Sequence, residues 1–314
     1  MDAETTTSVR IGNAPVSYGA YGEVAVEVDP ARFLELLARD GYSGSELGDP
    51  SFFGAPAQTA RLFQDAGLTA IGAFAAIRTT MGADLVADDL ERLGSTCAQL
   101  LAANPEGMVI LADEGPEEMF LRPGRVFTDR PDGLDAASWD TLVGAITRAA
   151  AVVRAKGLAV SFHPHTSTWV ESPADIDRLL ADTDLDLTFD TGHVLLGGGD
   201  PVADLRRWSD RIAHIHVKDV LLDRQLDGLR SGRRDPEQWW SEVVVPLGEG
   251  DVDLDGVVEE LARMDYAGWL VIEQDRLPAT PAEIEDIARQ QHANRRALET
   301  ALAGRITVQR QHVH

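Results

Sequence analysis

The segment RIAHIHVKD, residues 211–219, alternates apolar and polar side chains with the two-residue period of a β-strand. Its apolar residues would share one face of a sheet, whereas His214, His216 and Lys218 would share the other. Buried parallel strands are normally apolar on both faces, and buried imidazole or ammonium groups are unfavourable unless a partner, a ligand or a metal satisfies them. The segment alone leaves two interpretations open: a functional face, or an ordinary polar face in solvent or hydrogen-bonded to carbonyls.

Strand patterns alternate with helix patterns along the rest of the chain. The predicted strands are residues 9–15, 43–47, 68–74, 107–112, 158–163, 186–190, 211–219 and 268–273. The predicted helices are residues 31–39, 57–66, 84–103, 136–156, 173–181, 201–209, 254–264 and 281–302. Eight strand–helix pairs without an antiparallel hairpin signal predict an α/β fold with a parallel sheet closed into a (β/α)8 TIM barrel.

The connections between these elements indicate where the barrel would carry a site. Long loops are predicted at about 113–135 and about 221–252, both after strands, whereas the turns that lead into strands are short and contain glycine. Long loops at the C-terminal end of the strands are typical of barrel active sites. No stretch resembles a domain linker, so we expect residues 1–314 to form a single domain with a non-helical C-terminal tail at 305–314.

Composition excludes several classes of protein. The chain has 28 basic and 52 acidic residues, a net charge of -24, which argues against general nucleic-acid binding. Cys97 is the only cysteine, which excludes an intrachain disulfide and a cysteine-built zinc site. No apolar run approaches the length of a membrane span, and the acidic N-terminus does not resemble a secretory signal. We therefore expect a cytoplasmic protein with no nucleic-acid or membrane partner.

Four predicted strands end in potential metal ligands on the inward face. These residues are His163, Asp190, His216 and Glu273. Successive members are separated by about one strand–helix repeat, or by one repeat plus the long loop, so their side chains should converge. Mixed imidazole and carboxylate ligands favour a divalent ion such as Mn, Co, Fe or Zn over Ca. Each residue alone has a structural interpretation, but four at equivalent positions predict a metal site.

Further polar residues lie near the same predicted edge. His165 and His193 follow strands 5 and 6, Glu46 ends strand 2, and His214 would lie one layer deeper in a structural role. Taken separately, His165 and His193 are more typical of hydrogen-bonded groups beside a site than of ligands. The pair Trp239-Trp240 in the second long loop has three open interpretations: a lid, an interface or local packing.

Several motifs resemble those of a known family. They are HPH at 163–165, WVE at 169–171, FDTGH at 189–193, GGGDP at 197–201, HIHVKD at 214–219, PLGEG at 246–250 and GWLVIEQD at 268–275. Together they resemble the xylose isomerase-like TIM barrels of the sugar phosphate isomerase/epimerase superfamily, and in particular the inosose dehydratase-like branch. The resemblance spans essentially the whole chain and is strongest from 158 to 275.

The resemblance carries implications for the site. It implies that Asp190, His216 and Glu273 bind the metal, usually Mn or Co with Mg, Fe or Zn as alternatives, and that His193 and Lys218 approach the substrate. Sugar epimerases of the superfamily typically have a glutamate on strand 5, where this chain has His163. This departure weakens the case for proton exchange between two carboxylates, and it leaves open whether His163 or His165 is the fourth ligand.

The expected function is dehydration of a keto-inositol or related keto-sugar through an enolate. A metal would polarise the ketone and stabilise the enolate. The candidates for proton transfer are His165, His193, Lys218 and Glu46, and a lysine beside a cation should have a lowered pKa. The alternatives are a ketose or inosose isomerase or epimerase, a lyase acting on 3-keto sugars or glycosides, and a barrel that only binds sugars. The family also suggests a homo-oligomer.

Overall fold

A computed structural model describes residues 8–20, 28–121, 123–128, 133–278 and 280–309, without the side chains of 236–239. Eight parallel strands form its centre. In chain order they are β1 Ser8–Asn13, β2 Gly44–Ser45, β3 Thr69–Ala70 continued by Gly72–Ile77, β4 Met108–Asp113, β5 Ala159–Phe162, β6 Asp186–Asp190, β7 Ile212–Val217 and β8 Trp269–Ile272.

The strands close into a barrel through β3. Its first segment pairs with β2, its second segment pairs with β4, and the remaining neighbours follow in chain order to the pairing of β8 with β1. Ile71, between the two segments, donates its N–H to Ser45 and accepts a hydrogen bond from the N–H of Met108. The ladder therefore continues on both sides of Ile71, and the predicted (β/α)8 barrel is confirmed.

Helices surround the barrel. They are α1 Pro30–Arg39, α2 Pro56–Ala66, α3 Ala83–Ala103, α4 Glu117–Phe120, α5 Ala136–Arg154, α6 Pro173–Asp182, α7 Thr191–Leu196, α8 Pro201–Arg207, α9 Leu222–Ser231, α10 Pro236–Val243, α11 Leu254–Arg263 and α12 Pro281–Leu302. Local signals explain several boundaries: Asp29 caps α1 ahead of Pro30, and Ser172 forms a capping box with Asp175 at α6. Because these signals are local, the predicted helix limits agree with the observed ones within two residues.

The apolar core lies mainly between the strands and the helices. Outward residues of the strands, such as Phe189 and Ile215, belong to one buried cluster with the apolar faces of the helices. A second cluster of Ala14, Ile71 and Val271 forms a separate apolar layer that packs against Trp269. A Cβ at position 12 would overlap Ile71, so glycine in β1 makes room for this layer.

The prediction of an irregular loop at about 221–252 is wrong, because this segment contains regular secondary structure. It contains α9 and α10, and it ends in the short strand Val244–Val245, which pairs antiparallel with Asp219–Val220. The carboxylate of Asp219 accepts hydrogen bonds from the N–H groups of Gly248, Gly250 and Val252. This buried aspartate therefore holds the segment against the barrel, which accounts for the presence of both HIHVKD and PLGEG.

Two other predicted irregular segments also contain structure. Within 113–135, the described residues include α4 and a 3-10 turn at Arg125–Phe127, while residues 122 and 129–132 lie outside the described part of the chain. In the tail at 305–314, Thr307–Val308 pairs in parallel with β1, and residues 310–314 again lie outside the description. Among the described helices, none is long and apolar enough to cross a membrane.

Candidate active site

The four predicted ligands converge at the C-terminal end of β5, β6, β7 and β8. One ligand atom from each of His163, Asp190, His216 and Glu273 lies within 4.8 Å of the others, and all four side chains are buried. Strand register explains the convergence, because Asp190 and His216 are direct neighbours across β6 and β7. Glu273 follows immediately after β8, whose Val271 is the neighbour of His216. The barrel therefore brings together residues that span more than one hundred positions of sequence.

The chemistry of these four side chains fits a divalent metal ion. Nδ1 of His216 lies 3.7 Å from Oδ2 of Asp190 and 3.4 Å from Oε2 of Glu273. Although buried, Nδ1 of His216 and Oδ2 of Asp190 have no hydrogen-bond partner among the described residues. Unpaired buried polar atoms that face one another are unfavourable unless another group binds them. Two imidazoles and two carboxylates form a donor set suited to a first-row divalent ion.

Asp190 combines two structural roles. Its Oδ1 accepts a hydrogen bond from the N–H of His193 at 2.9 Å and so caps α7. This contact fixes the carboxylate and leaves Oδ2 directed at the other ligands. The turn from β6 into α7 therefore orients a ligand and places His193 beside it.

Glu46 lies behind the ligand group. Its Oε1 accepts a hydrogen bond at 2.8 Å from Nε2 of His214 and another at 2.8 Å from Nε2 of His216. A proton on Nε2 leaves the Nδ1 lone pair of neutral His216 for a metal. Burial opposes ionisation of Glu46, but the two histidines lower its pKa below the ordinary value. These three residues form a paired hydrogen-bond network rather than a second open ligand set.

Lys218 lies on the other side of the ligand group. Its Nζ is 3.0 Å from Oε2 of Glu273, 3.0 Å from Nε2 of His193 and 3.3 Å from Oδ2 of Asp275. Burial would lower the pKa of Lys218, but Asp190, Asp275 and Glu273 raise it above its ordinary value. Three carboxylates thus favour the charged ammonium group. The lowered pKa that we expect for a lysine beside a bound cation stays a prediction.

His165 lies beside the ligand group rather than within it. Its Nδ1–H donates to the carbonyl of Thr166 at 2.6 Å, which leaves the lone pair on Nε2. Burial and the charge of Lys218 lower the pKa of His165 to about 4, so the imidazole is neutral at pH 7. Its ring centroid lies 3.8 Å from that of His193. For the open question of the fourth ligand, the geometry favours His163, since His165 is not part of the converging set.

The turn after His165 is held by two buried carboxylates that sequence reasoning missed as site residues. Ser167 has a φ of 78°, and its N–H donates to Glu171 at 3.0 Å. The N–H of Trp169 donates to Asp113, at the end of β4, at 2.7 Å. The hydroxyl oxygen of Thr166, in the same turn, lies 3.2 Å from Nδ1 of His193. The turn thus orients both His165 and His193.

Asp275 was also missed as an individual site residue. It lies two positions after Glu273, so a continued period of two would have placed both carboxylates on the same side of the chain. That signal was available in the motif GWLVIEQD. Thr166 and Ser167 had no comparable signal, because their positions follow from the conformation of an irregular turn.

Comparison with known proteins agrees with this geometry. A sequence model of the family described as xylose isomerase-like TIM barrel matches residues 34–293. The chain is 28% identical to an inosose dehydratase of Lacticaseibacillus casei over 289 residues, which cover 87% of this chain and 91% of the relative. It is 35% identical to an inosose dehydratase of Bacillus velezensis over 169 residues, which cover 52% of this chain and 56% of the relative.

A solved structure has a similar fold. It is an IolI protein with a bound zinc atom, which matches with a TM-score of 0.69 and 12% sequence identity over 95% of this chain and 99% of that one. At this identity the likeness concerns the arrangement of strands and helices. It supports the barrel topology independently of the sequence motifs.

Proposed function

Because the chain belongs to the xylose isomerase-like TIM barrel family, we propose that it is a divalent-metal-dependent lyase that dehydrates a keto-inositol (inosose). Relatives named inosose dehydratase match it along most of its length. The observation that carries the proposal is the convergence of four potential metal ligands, with the imidazole of His165 and the ammonium group of Lys218 beside them. Elimination of water needs a base and an acid of this kind on one substrate.

The metal ligands in this proposal are His163, Asp190, His216 and Glu273. A divalent ion held by them would polarise the substrate ketone and make the adjacent C–H more acidic. The mixed nitrogen and oxygen donors suit a first-row divalent ion. Mn or Co is our first choice because the family resemblance implies these ions, and Mg, Fe or Zn are the alternatives.

The residues of the chain would then divide the proton transfers. Nε2 of His165 takes the proton from the carbon beside the ketone, and the electron pair of that C–H bond leaves an enolate. When the enolate returns to the ketone, a C=C bond to the β-carbon forms and the β-hydroxyl leaves. Nζ of Lys218 donates a proton to this hydroxyl, so that water is released. His193 accepts a hydrogen bond from Lys218 and orients its ammonium group. Glu46 acts on His216 rather than on the substrate.

The replacement of a strand 5 glutamate by His163 favours this reaction over epimerisation. An epimerase of the two-carboxylate kind removes and returns protons with carboxylates on strands 5 and 8. Here the strand 5 position offers an imidazole, and burial holds the pKa of His163 well below its ordinary value. A homo-oligomer, a cytoplasmic location and a single domain over residues 1–314 stay predictions.

The test is turnover of scyllo-inosose by metal-loaded protein. We expect the absorbance of the conjugated diketone product to increase with Mn or Co, and to be lost after chelation. His165→Gln should lower kcat by about 10²- to 10⁴-fold, the usual contribution of a general base. His292→Gln, which changes a half-exposed histidine on α12, is the matched control and should leave kcat unchanged.

The other outcomes identify the alternatives. Exchange of solvent deuterium into recovered substrate without loss of water would replace the dehydratase with an isomerase or epimerase. Faster elimination from a 3-keto glycoside than from scyllo-inosose would indicate a lyase for larger sugars. Tight polyol binding without turnover and without bound metal would indicate a sugar-binding barrel.

A further inference from the structure

Helix α10 lies over the C-terminal end of the barrel. The short strand that follows it, Val244–Val245, pairs with Asp219–Val220, which comes directly after Lys218. In addition, Leu221 donates its N–H to the carbonyl of Val243 at the end of the helix. These backbone contacts fix α10 next to the end of β7, and they bring Trp240 to the site.

The indole of Trp240 contacts two histidines of the site. Its ring centroid lies 5.5 Å from that of His165 at an interplanar angle of 69°, and 5.8 Å from that of His193 at 84°. Both arrangements are edge-to-face contacts, which are favourable for aromatic rings. Trp240 is 8% exposed, so its ring is buried against these two histidines.

Within the described part of the chain, the indole N–H of Trp240 has no hydrogen-bond partner. Buried tryptophans normally pair this group, and three others in the chain do: Trp139 donates to Asp182, Trp169 to Thr80 and Trp208 to Asp177. Leaving a buried N–H donor unpaired costs about 1–3 kcal/mol. The unpaired donor belongs to a ring that contacts two histidines of the site, and the ligand proposed for this site would be rich in acceptor oxygens.

We propose that Trp240 is a substrate-binding residue, whose indole N–H donates a hydrogen bond to one hydroxyl of a cyclic polyol ketone and whose ring covers the C–H face of that ligand. The class of ligand rests on the proposed function. The structural observations that support the role are the position of α10, the contacts with His165 and His193, and the unpaired donor. Of the three interpretations that the sequence left open for Trp239-Trp240 (a lid, an interface or local packing), this proposal is nearest to a lid, because Trp240 would cover the bound ligand.

The test compares Trp240→Phe with Trp208→Phe. Both substitutions keep an aromatic ring and remove an indole N–H, but Trp208 donates to Asp177 outside the site. We would titrate metal-loaded protein with myo-inositol, which lacks the ketone, in a calorimeter, and then measure kcat and KM for scyllo-inosose. For Trp240→Phe we expect Kd and KM to rise about three- to tenfold, the effect of one lost hydrogen bond. Its kcat should change less than twofold, and Trp208→Phe should change none of the three.

A series of monodeoxy inositols identifies the hydroxyl. The wild type should bind one member about three- to tenfold more weakly than the parent polyol. Trp240→Phe should bind that member and the parent equally. If Trp240→Phe keeps the discrimination of the wild type, or if its Kd and KM match those of the wild type, the role of Trp240 is rejected.

The two proposals fail separately. Turnover of scyllo-inosose by the wild type with an unchanged KM in Trp240→Phe rejects the role of Trp240 alone. Weaker polyol binding by Trp240→Phe, together with no dehydration by the wild type, rejects the dehydratase alone. A wild type that binds none of these polyols overturns both.

Discussion

Single residues in the site depend on hydrogen bonds made behind them. His216 is held by Glu46 on the side away from the other ligands, and Asp190 is held by the N–H of His193. Each contact occupies one polar atom of a ligand and leaves the other for the metal. Such supporting groups commonly change metal affinity by about 10- to 100-fold when they are replaced.

Glu46→Gln should therefore weaken metal binding by about 10- to 100-fold. The amide can still accept a hydrogen bond, but it lacks the negative charge that makes the imidazole of His216 a stronger ligand. The measurement is the Kd for Mn by calorimetry on chelator-treated protein. Glu35→Gln is the control, since Glu35 pairs only with Arg32 on the surface and should not alter the Kd.

Glu46 was also a candidate for proton transfer from sequence, and this experiment separates the two roles. An unchanged Kd for Mn with a lower kcat at saturating metal would contradict the supporting role and favour proton transfer. The sequence identified Glu46 because it ends β2 at the same edge as the ligands. It could not distinguish the two roles, since these depend on whether a side chain faces the barrel mouth or a neighbouring histidine.

At the scale of elements, the turn from β5 to α6 is the part of the site with the most strained backbone. Ser167 has a left-handed φ, which is unfavourable for residues with a Cβ. The carboxylate of Glu171 stabilises this conformation by accepting the N–H of Ser167. Burial raises the pKa of Glu171 to about 7, against smaller lowering effects of Ser167 and Arg125.

This raised pKa makes the stability of the fold depend on pH. In the unfolded chain, the carboxyl group of Glu171 ionises near the ordinary glutamate pKa. In the folded chain, the same group loses its proton only near pH 7. The contribution to stability is therefore complete below the unfolded pKa and is lost as pH rises through about 7. Between pH 5 and pH 8, the free energy of unfolding of the wild type should fall relative to that of Glu171→Gln by about 2 to 3 kcal/mol.

Urea unfolding of both proteins at several pH values measures this difference. Glu91→Gln, at an exposed position of α3, is the control and should follow the wild type at every pH. If the curves for Glu171→Gln and the wild type run parallel from pH 5 to pH 8, the carboxyl group of Glu171 does not have the raised pKa on which the prediction rests.

The regular elements were predictable because their signals are local. Alternation identified β7, and Asp29 followed by Pro30 located the start of α1. The segment after β7 was not predictable in this way. Its helices α9 and α10 depend on distant contacts, such as the hydrogen bonds of Asp219 to Gly248 and Gly250. Because this segment is rich in charged residues and its helices depend on distant contacts, its sequence alone resembles that of a loop.

At the scale of the whole molecule, the barrel follows from repetition and the site follows from the barrel. Once eight strand–helix units are counted, closure places the ends of β5 to β8 side by side, so the four ligands could be predicted as a group. The roles of Asp113, Glu171 and Trp240 could not, because they depend on how the turn between β5 and α6 and the helix α10 pack against the barrel. Closure of the barrel predicts which strands are neighbours. It does not predict how an irregular segment packs against the C-terminal ends of these strands.

The same closure predicts that metal binding stabilises the entire fold. The ligands come from four consecutive strands, so an ion bound by all four requires the folded barrel. At 100 times its Kd, Mn should raise the free energy of unfolding by about 2.7 kcal/mol. The net charge of -24 provides a competing explanation, since any divalent cation reduces self-repulsion. Ca at the same concentration measures that effect, because it prefers a larger set of oxygen ligands.

Asp190→Asn provides the decisive variant. Asparagine still caps a helix well, so α7 should keep its contact with the N–H of His193 while the ligand group loses a negative charge. We expect Mn to stabilise the wild type more than Ca does, and to stabilise Asp190→Asn no more than Ca does. If Mn raises the free energy of unfolding equally in both proteins, the ion binds elsewhere on the acidic surface. The site at the ends of β5 to β8 would then lose its role as a metal centre, because an ion that stabilises the barrel through its ligands must distinguish these two proteins.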